Sequence, residues 1–174
     1  MKFSVLMSIY SKENAKHFDR AMTSIWNEQT VRPSEIILVE DGKLTDDLYS
    51  STSYWKEKIG KTFRIVPLEK NVGLGNALNI GLQKCSYELV ARMDTDDICV
   101  NNRFEKRLLV FRDHVDIDVC SSWLSALGKN DKEGVVIAPD EVQTAFVLPP
   151  TYICVSPLVP ILTLKFSALV PDVM

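Results

Sequence analysis

Four short runs of strand-forming residues, at Phe3–Tyr10, Glu35–Val39, Phe63–Leu68 and Leu89–Met93, alternate with segments of helical spacing. That alternation constrains the fold more than any other feature of the chain. Asn14–Gln29 carries Phe18, Met22, Ile25 and Trp26 at turns of a helix, Leu48–Ile59 can form a second helix, and Gly73–Lys84 sets Ala77, Leu78 and Leu82 on one face. Parallel strands need crossovers long enough to hold a helix, and the unbroken run Ile36-Ile-Leu-Val39 suits a strand buried on both sides. The pattern predicts an α/β fold, a mostly parallel sheet with helices on both faces.

At 174 residues, 46% apolar and 25% charged, the chain is the size and composition of one soluble domain with a real core. A net charge of −3 gives no bulk attraction to nucleic acid, and the densest basic cluster is only Arg103, Lys106, Arg107 and Arg112, so no nucleic-acid partner is expected. Cys85, Cys99, Cys120 and Cys154 are widely separated, and neither His17 nor His114 stands at metal-ligand spacing from them, which favours reduced thiols over a zinc site or a disulfide frame. The apolar start after Lys2 is broken by Ser11-Lys12-Glu13 and lacks a cleavage site; it reads as a buried first strand, and a cytoplasmic location is expected.

The character changes near residue 145. Five of the eight prolines fall in the last 30 residues, which contain no glycine and only Lys165 and Asp172 as charges, so the α/β pattern does not continue there. Pro149, Pro150, Pro157 and Pro160 argue against a membrane-spanning helix in the uncharged stretch 145–164. The expected division is a domain over 1–140 and an irregular apolar, proline-rich tail over 141–174, packed on the domain or on a partner, or not native.

Ligands of open parallel sheets bind outside the carboxyl ends of the strands. Polar motifs fall at four such ends: Ser8 and Tyr10, then Asp41, then Asn71 and Gly73, then Asp94-Thr95-Asp96-Asp97. Three carboxylates in four residues repel one another unless a cation or donors intervene, and hard ions such as Mg²⁺ and Mn²⁺ favour carboxylate and phosphate oxygens. The competing explanation is that Asp96 or Asp97 caps a helix starting near Asn101. Asn71-Val-Gly73-Leu-Gly75 opens a helix whose amides could receive phosphate, although it lacks the third glycine of a dinucleotide fingerprint, or it is an ordinary helix entry. Glu40-Asp41-Gly42 is either a plain turn or a carboxylate that bonds a base or ribose.

Taken together, Ser8-Ile9-Tyr10, Leu38-Val-Glu-Asp41-Gly42, Asn71-x-Gly73 with Ala77, Asn79 and Gly81, Asp94-Thr-Asp96-Asp97 and Arg103 resemble, in order and spacing, the family 2 inverting glycosyltransferases of the GT-A fold, in the bacterial exopolysaccharide and O-antigen type. The resemblance runs from residue 3 to about 140. It implies a truncated nucleotide-diphospho-sugar transferase-like fold in which Ser8 and Tyr10 border the base, Asp41 bonds it, and Asn71 and Gly73 join the nucleotide-sugar site. Arg92 and Asp94 would lie beside the nucleoside, and Asp96 and Asp97 would hold ribose and metal. It further implies a divalent cofactor, Mn²⁺ or Mg²⁺, a nucleoside diphosphate sugar donor (UDP first), a saccharide or lipid-linked saccharide acceptor, and peripheral association with the inner face of the membrane.

Family members continue past this length and supply a general base and acceptor contacts from their second half; after Asp140-Glu141 no such pattern is recognisable. The expectation is a chain that binds donor and transfers sugar poorly, since a missing base costs about 10² to 10⁴ in rate. The alternatives are a non-catalytic nucleotide-sugar-binding remnant or partner subunit, and a nucleotidyltransferase, which would be expected to carry a glycine-rich basic loop where Ser11-Lys-Glu-Asn14 stands.

Overall fold

The computed structural model describes residues 1–121, together with the backbone of three short strands at 126–127, 133–134 and 162–165. The elements alternate as the periodicity predicts: β1 (Phe3–Ile9), α1 (Ala15–Trp26), β2 (Glu35–Glu40), α2 (Asp46–Ile59), β3 (Phe63–Pro67), α3 (Leu74–Leu82), β4 (Leu89–Arg92) and α4 (Arg103–Asp113). Then come β5 (Val119–Ser121), β6 (Ala126–Leu127), β7 (Glu133–Gly134) and β8 (Leu162–Lys165), with β6 and β7 forming a separate antiparallel pair.

The main sheet has the order β3-β2-β1-β4-β8-β5, and β1, β2, β3 and β4 run parallel. The chain moves outward from β1 to β2 and β3, then returns across β1 to add β4 on its other side. The strand order therefore reverses at the β1/β4 boundary, and the crevice at the carboxyl ends there is where such sheets place ligands.

Both faces of the sheet are covered, but unequally. Val5, Met7 and Ile9 of β1 with Ile36 and Leu38 of β2 join one core with Phe18, Met22 and Ile25 of α1, Leu48 and Trp55 of α2 and Phe104 and Phe111 of α4. The alternate residues Leu6, Ile37, Val39 and Val90 meet Ala77, Leu78 and Leu82 of α3 on the other face. The two-residue side-chain period of the strands explains this division. Helix α3 lies close to the sheet because Gly81 faces it: a Cβ there would come within 2.5 Å of Leu6 Cδ1 and 2.6 Å of Val39 Cγ2.

The helices start where their sequences provide caps. Asn14 Oδ1 accepts the Lys16 amide at 2.9 Å, and Thr45 Oγ1 accepts the Leu48 amide at 3.4 Å ahead of Asp46 and Asp47 in the first turn of α2. The 141–174 tail and its boundary, Cys154 and the 145–164 stretch lie outside the described residues, except for β8. That strand pairs antiparallel with both β4 and β5 and lies between them in the sheet. Leu162-Thr-Leu-Lys165 has the apolar/polar alternation of a strand, which the proline content around it obscures. Among the described residues no helix is long and apolar enough to cross a membrane.

Candidate functional site

The strand ends converge. A cavity of about 370 Å³ opens at the carboxyl edge, lined by Ser8, Tyr10, Glu13, Asp41, Asn71, Gly73, Leu74, Asp94, Thr95 and Asp96. Seven of the nine residues expected at the site line it: Ser8, Tyr10, Asp41, Asn71, Gly73, Asp94 and Asp96. Arg92 and Asp97 do not. Arg92 lies behind the wall, where its Nη2 donates to Asp94 Oδ1 at 2.6 Å. The volume falls in the range of small-ligand sites, about 300–1,000 Å³.

Asp41 is 4% exposed, and its carboxylate already has partners: Oδ1 accepts the Val72 amide at 2.7 Å and Oδ2 the Gly73 amide at 3.1 Å. The two amides that the sequence offers to a phosphate are thus taken by a carboxylate. The reason is proximity, since β2 and β3 pair in register through Glu40 and Pro67 and bring both loops together. Asn71 Nδ2 adds a bond to the Asp41 carbonyl at 3.2 Å. Gly42 permits this contact: its φ is +84°, and a Cβ would sit 2.6 Å from the Asn71 nitrogen. An ionised carboxylate has about four acceptor sites, so Asp41 keeps capacity for a donor entering the cavity.

The acidic turn is tied to the sheet through Met93, whose amide donates to the Leu6 carbonyl at 3.0 Å, and it closes through the Asp97 amide to the Asp94 carbonyl at 3.4 Å. It caps no helix. Helix α4 begins at Arg103 after Asn102, which makes no side-chain cap bond, and the segment 98–102 separates it from Asp97. Beneath the turn, Arg103 is buried, with Nη2 donating to the Arg92 carbonyl at 2.9 Å and Nη1 lying 3.0 Å from Met93 Sδ and 2.8 Å from Cys99 Sγ.

Charge is concentrated here. Burial pushes the Asp94 carboxyl above its ordinary range, outweighing the neighbouring Arg92, and Asp96 adds to the rise. Asp97 is pushed up to about 6, first by burial and then by Asp94 and Asp96. Glu13 is raised by burial and by Asp96, while a hydrogen bond with Thr95 opposes the rise. Carboxylates whose protons are held this way sit in a field that favours a cation.

Among the described residues no three ligand-type side chains are grouped to cage a metal. What is present is an exposed carboxylate, Asp96, on the cavity wall, with the half-buried Asp97 behind it. That donor set fits a hard divalent ion that keeps waters and takes further oxygens from a diphosphate, the mode preferred by Mg²⁺, rather than an all-protein site.

Sequence reasoning missed Glu13, Leu74 and Thr95. Thr95 and Leu74 neighbour motif residues, so their position was available. Glu13 stands just before the Asn14 cap, and the Glu13 amide donates to the Tyr10 carbonyl at 3.1 Å, folding that segment back over the cavity. A polar turn between a strand end and a helix cap was the only signal.

A sheet order reversing at β1/β4, with an acidic turn and a braced Asp-Gly loop at that point, is the arrangement of a GT-A-type fold. The sequence profile of Glycosyl transferase family 2 matches residues 4–155, and the chain belongs to that family. It is 40% identical over 131 residues to the amylovoran biosynthesis glycosyltransferase AmsE of Erwinia amylovora, covering 75% of this chain and 48% of that one. It is likewise 40% identical over 136 residues to the Escherichia coli UDP-Gal:alpha-D-GlcNAc-diphosphoundecaprenol beta-1,3-galactosyltransferase, covering 78% and 48%. The chain spans about half the length of these relatives. Among solved structures, S. aureus TarS 1-349 in complex with UDP-GlcNAc superposes with a TM-score of 0.58 at 26% identity, covering 68% of this chain and 33% of that one. The mannosyltransferase PcManGT of Pyrobaculum calidifontis, in complex with GDP-Man and Mn²⁺, reaches 0.60 at 20% identity, over 70% and 35%, and shares the fold.

Proposed function

We propose that this chain binds a nucleoside diphosphate sugar, with UDP as the nucleotide, and serves inverting sugar transfer to a saccharide or lipid-linked saccharide in cell-surface polysaccharide synthesis. The observation that carries the reading is the convergence of four strand ends on one carboxylate-lined cavity at the strand-order reversal. The relatives named for amylovoran synthesis and for a galactosyl transfer to a diphosphoundecaprenol-linked sugar support the acceptor class. Peripheral contact with the cytoplasmic face of a membrane follows from a lipid-linked acceptor.

In this reading the exposed Tyr10 ring lies against the base, and Asp41, oriented by Val72 and Gly73, accepts a base N–H. Glu13 and Asp94 face the ribose side, and Asp96, backed by Asp97, holds a divalent ion. When bound, that ion supplies positive charge to the departing diphosphate. The acceptor hydroxyl oxygen attacks the anomeric carbon as the bond to the diphosphate breaks; the diphosphate leaves with the bonding pair, the hydroxyl proton passes to a general base of the kind the family resemblance assigns to its second half, and inversion follows from attack on the opposite face. The fixed dipoles and carboxylates orient the donor for that displacement.

The test is product analysis. The chain is incubated with Mn²⁺, radiolabelled UDP-sugars and a lipid-linked saccharide. Slow release of UDP with label in the lipid fraction, about 10² to 10⁴ below an enzyme with its base, supports the reading, whereas release of pyrophosphate from a nucleoside triphosphate and sugar phosphate would support a nucleotidyltransferase instead. Donor binding without transfer would fit a nucleotide-sugar-binding subunit.

A further inference from the structure

The acidic turn is held by the sheet on one side only. On its other side the chain runs through residues 98–102, which have no regular structure and expose Ile98 and Val100, before entering α4. The backbone groups of this segment are satisfied from the C-terminal end of α1. The Gln29 amide is buried; its Nε2 donates to the Ser24 carbonyl at 2.8 Å and to the Val100 carbonyl at 2.7 Å, and its Oε1 accepts the Phe104 amide at 3.4 Å. Ser24, fully buried in α1, accepts the Cys99 amide on its Oγ at 3.0 Å and donates to the Ala21 carbonyl at 2.7 Å. The Thr30 amide donates to the Asn101 carbonyl at 2.9 Å, and the Thr30 hydroxyl to Glu105 Oε2 at 2.8 Å.

Helix α1 therefore touches the site at both ends. Its entry carries Tyr10 and Glu13 on the cavity wall, and its exit braces the segment that follows Asp97. Twelve residues of helix span about 18 Å, a length over which a packed helix behaves as a strut. Both N–H donors of the Gln29 amide are in use, so no other side chain of that size replaces it: Glu would set a carboxylate against two carbonyl oxygens, and Ala would leave the Phe104 amide without this acceptor and the Val100 carbonyl with the Arg103 amide at 3.1 Å in place of two donors.

We propose that Gln29 is a positioning residue for the donor site, fixing, together with the Ser24 hydroxyl, the 98–104 segment and through it the Asp96 and Asp97 carboxylates relative to the Tyr10 and Glu13 wall. The inference rests on the reading of the acidic turn as the metal and diphosphate site.

Two readouts test it on Gln29→Ala and on the milder Ser24→Ala, which removes only the acceptor for Cys99. UDP affinity is measured with and without Mn²⁺, and amide hydrogen exchange compares residues 95–102 with the β1 and β2 core. Gln29→Ala is expected to lower the Mn²⁺-dependent affinity about tenfold, the effect of one or two lost buried hydrogen bonds, while metal-free UDP affinity moves less than about twofold. Exchange should quicken at 95–102 with β1 and β2 unchanged, and Ser24→Ala should follow in the same direction to a smaller extent. Unchanged exchange at 95–102, or an equal loss in metal-free and metal-dependent binding, overturns the proposal. Should the parent chain show no Mn²⁺-dependent binding, the donor-site reading fails by itself. The exchange comparison then still decides whether Gln29 fixes the turn.

Discussion

Carboxylates stand at both edges of the central sheet, and they are treated in opposite ways. At the amino edge, Glu35 opens β2 and is 6% exposed; its Oε1 accepts the Ser4 hydroxyl at 2.6 Å and the Ser86 amide, and its Oε2 accepts the Ser86 hydroxyl at 3.0 Å with Arg64 at 3.6 Å. At the carboxyl edge, Glu13, Asp94, Asp96 and Asp97 crowd together, and three of them are held above the usual carboxylate range by burial and by each other. The first arrangement closes a structure by saturating its acceptors. The second gathers more negative charge than the Arg92–Asp94 pair offsets, a cost in stability that is retained where a ligand is to be bound.

That contrast can be broken at either edge. The largest effect is expected from Asp96→Ala: UDP affinity in Mn²⁺, measured by calorimetry, should fall about 100-fold or more while the melting temperature stays level or rises. Glu35→Ala should do the reverse, lowering the urea-unfolding free energy by about 2 kcal/mol because Ser4 loses its buried partner, with UDP affinity unchanged in the folded protein. A binding loss in Glu35→Ala as large as that in Asp96→Ala would dissolve the distinction between the two edges.

Gly42→Ala tests the junction between structure and site. The positive φ and the contact with Asn71 predict about 1–2 kcal/mol of destabilisation by chemical denaturation, accompanied by a severalfold drop in UDP affinity as the 71–73 loop is displaced. The smallest effect concerns pH. The folded Asp97 group titrates at about 6 against an ordinary 3.8, so the native state holds this proton more tightly than the unfolded chain. The stability linked to that proton is complete below about pH 4 and is lost as pH rises through about 6. Asp97 is only half-buried, so solvent screening reduces the effect to about 1 kcal/mol, and Asp97→Asn should lessen the drop in melting temperature between pH 5 and pH 7 by about 2–4 °C in metal-free buffer. Identical pH profiles for the two proteins would remove Asp97 from this account.

Much of the fold was legible because its signals are local. The run Ile36–Val39 marks a strand buried on both faces, and each polar motif sits immediately after a strand, where topology alone brings distant residues to one edge. What stayed hidden depends on tertiary pairing. Asp41 reads as a ligand for a nucleotide, yet its first partners are backbone amides 31 and 32 residues away. Gln29 has no pattern that separates it from any polar residue past a helix end, and its bond to Val100 spans 71 positions. Arg103 belongs both to a basic cluster and to the motif order of the family, but neither says that it is buried under the acidic turn with its Nη2 on the Arg92 carbonyl. Strand β8 lies among prolines that mask a four-residue alternation, and only its pairing with β4 and β5 reveals it.

The most direct test of the account is calorimetric titration of UDP into the 174-residue chain, with and without Mn²⁺, alongside Asp96→Ala and Asp97→Ala. The account predicts binding that strengthens with Mn²⁺ and loses that increment in Asp96→Ala, with a smaller loss in Asp97→Ala, whose side chain stands behind the cavity wall. Equal binding with and without the metal, or a metal-dependent increment that survives Asp96→Ala, would contradict it.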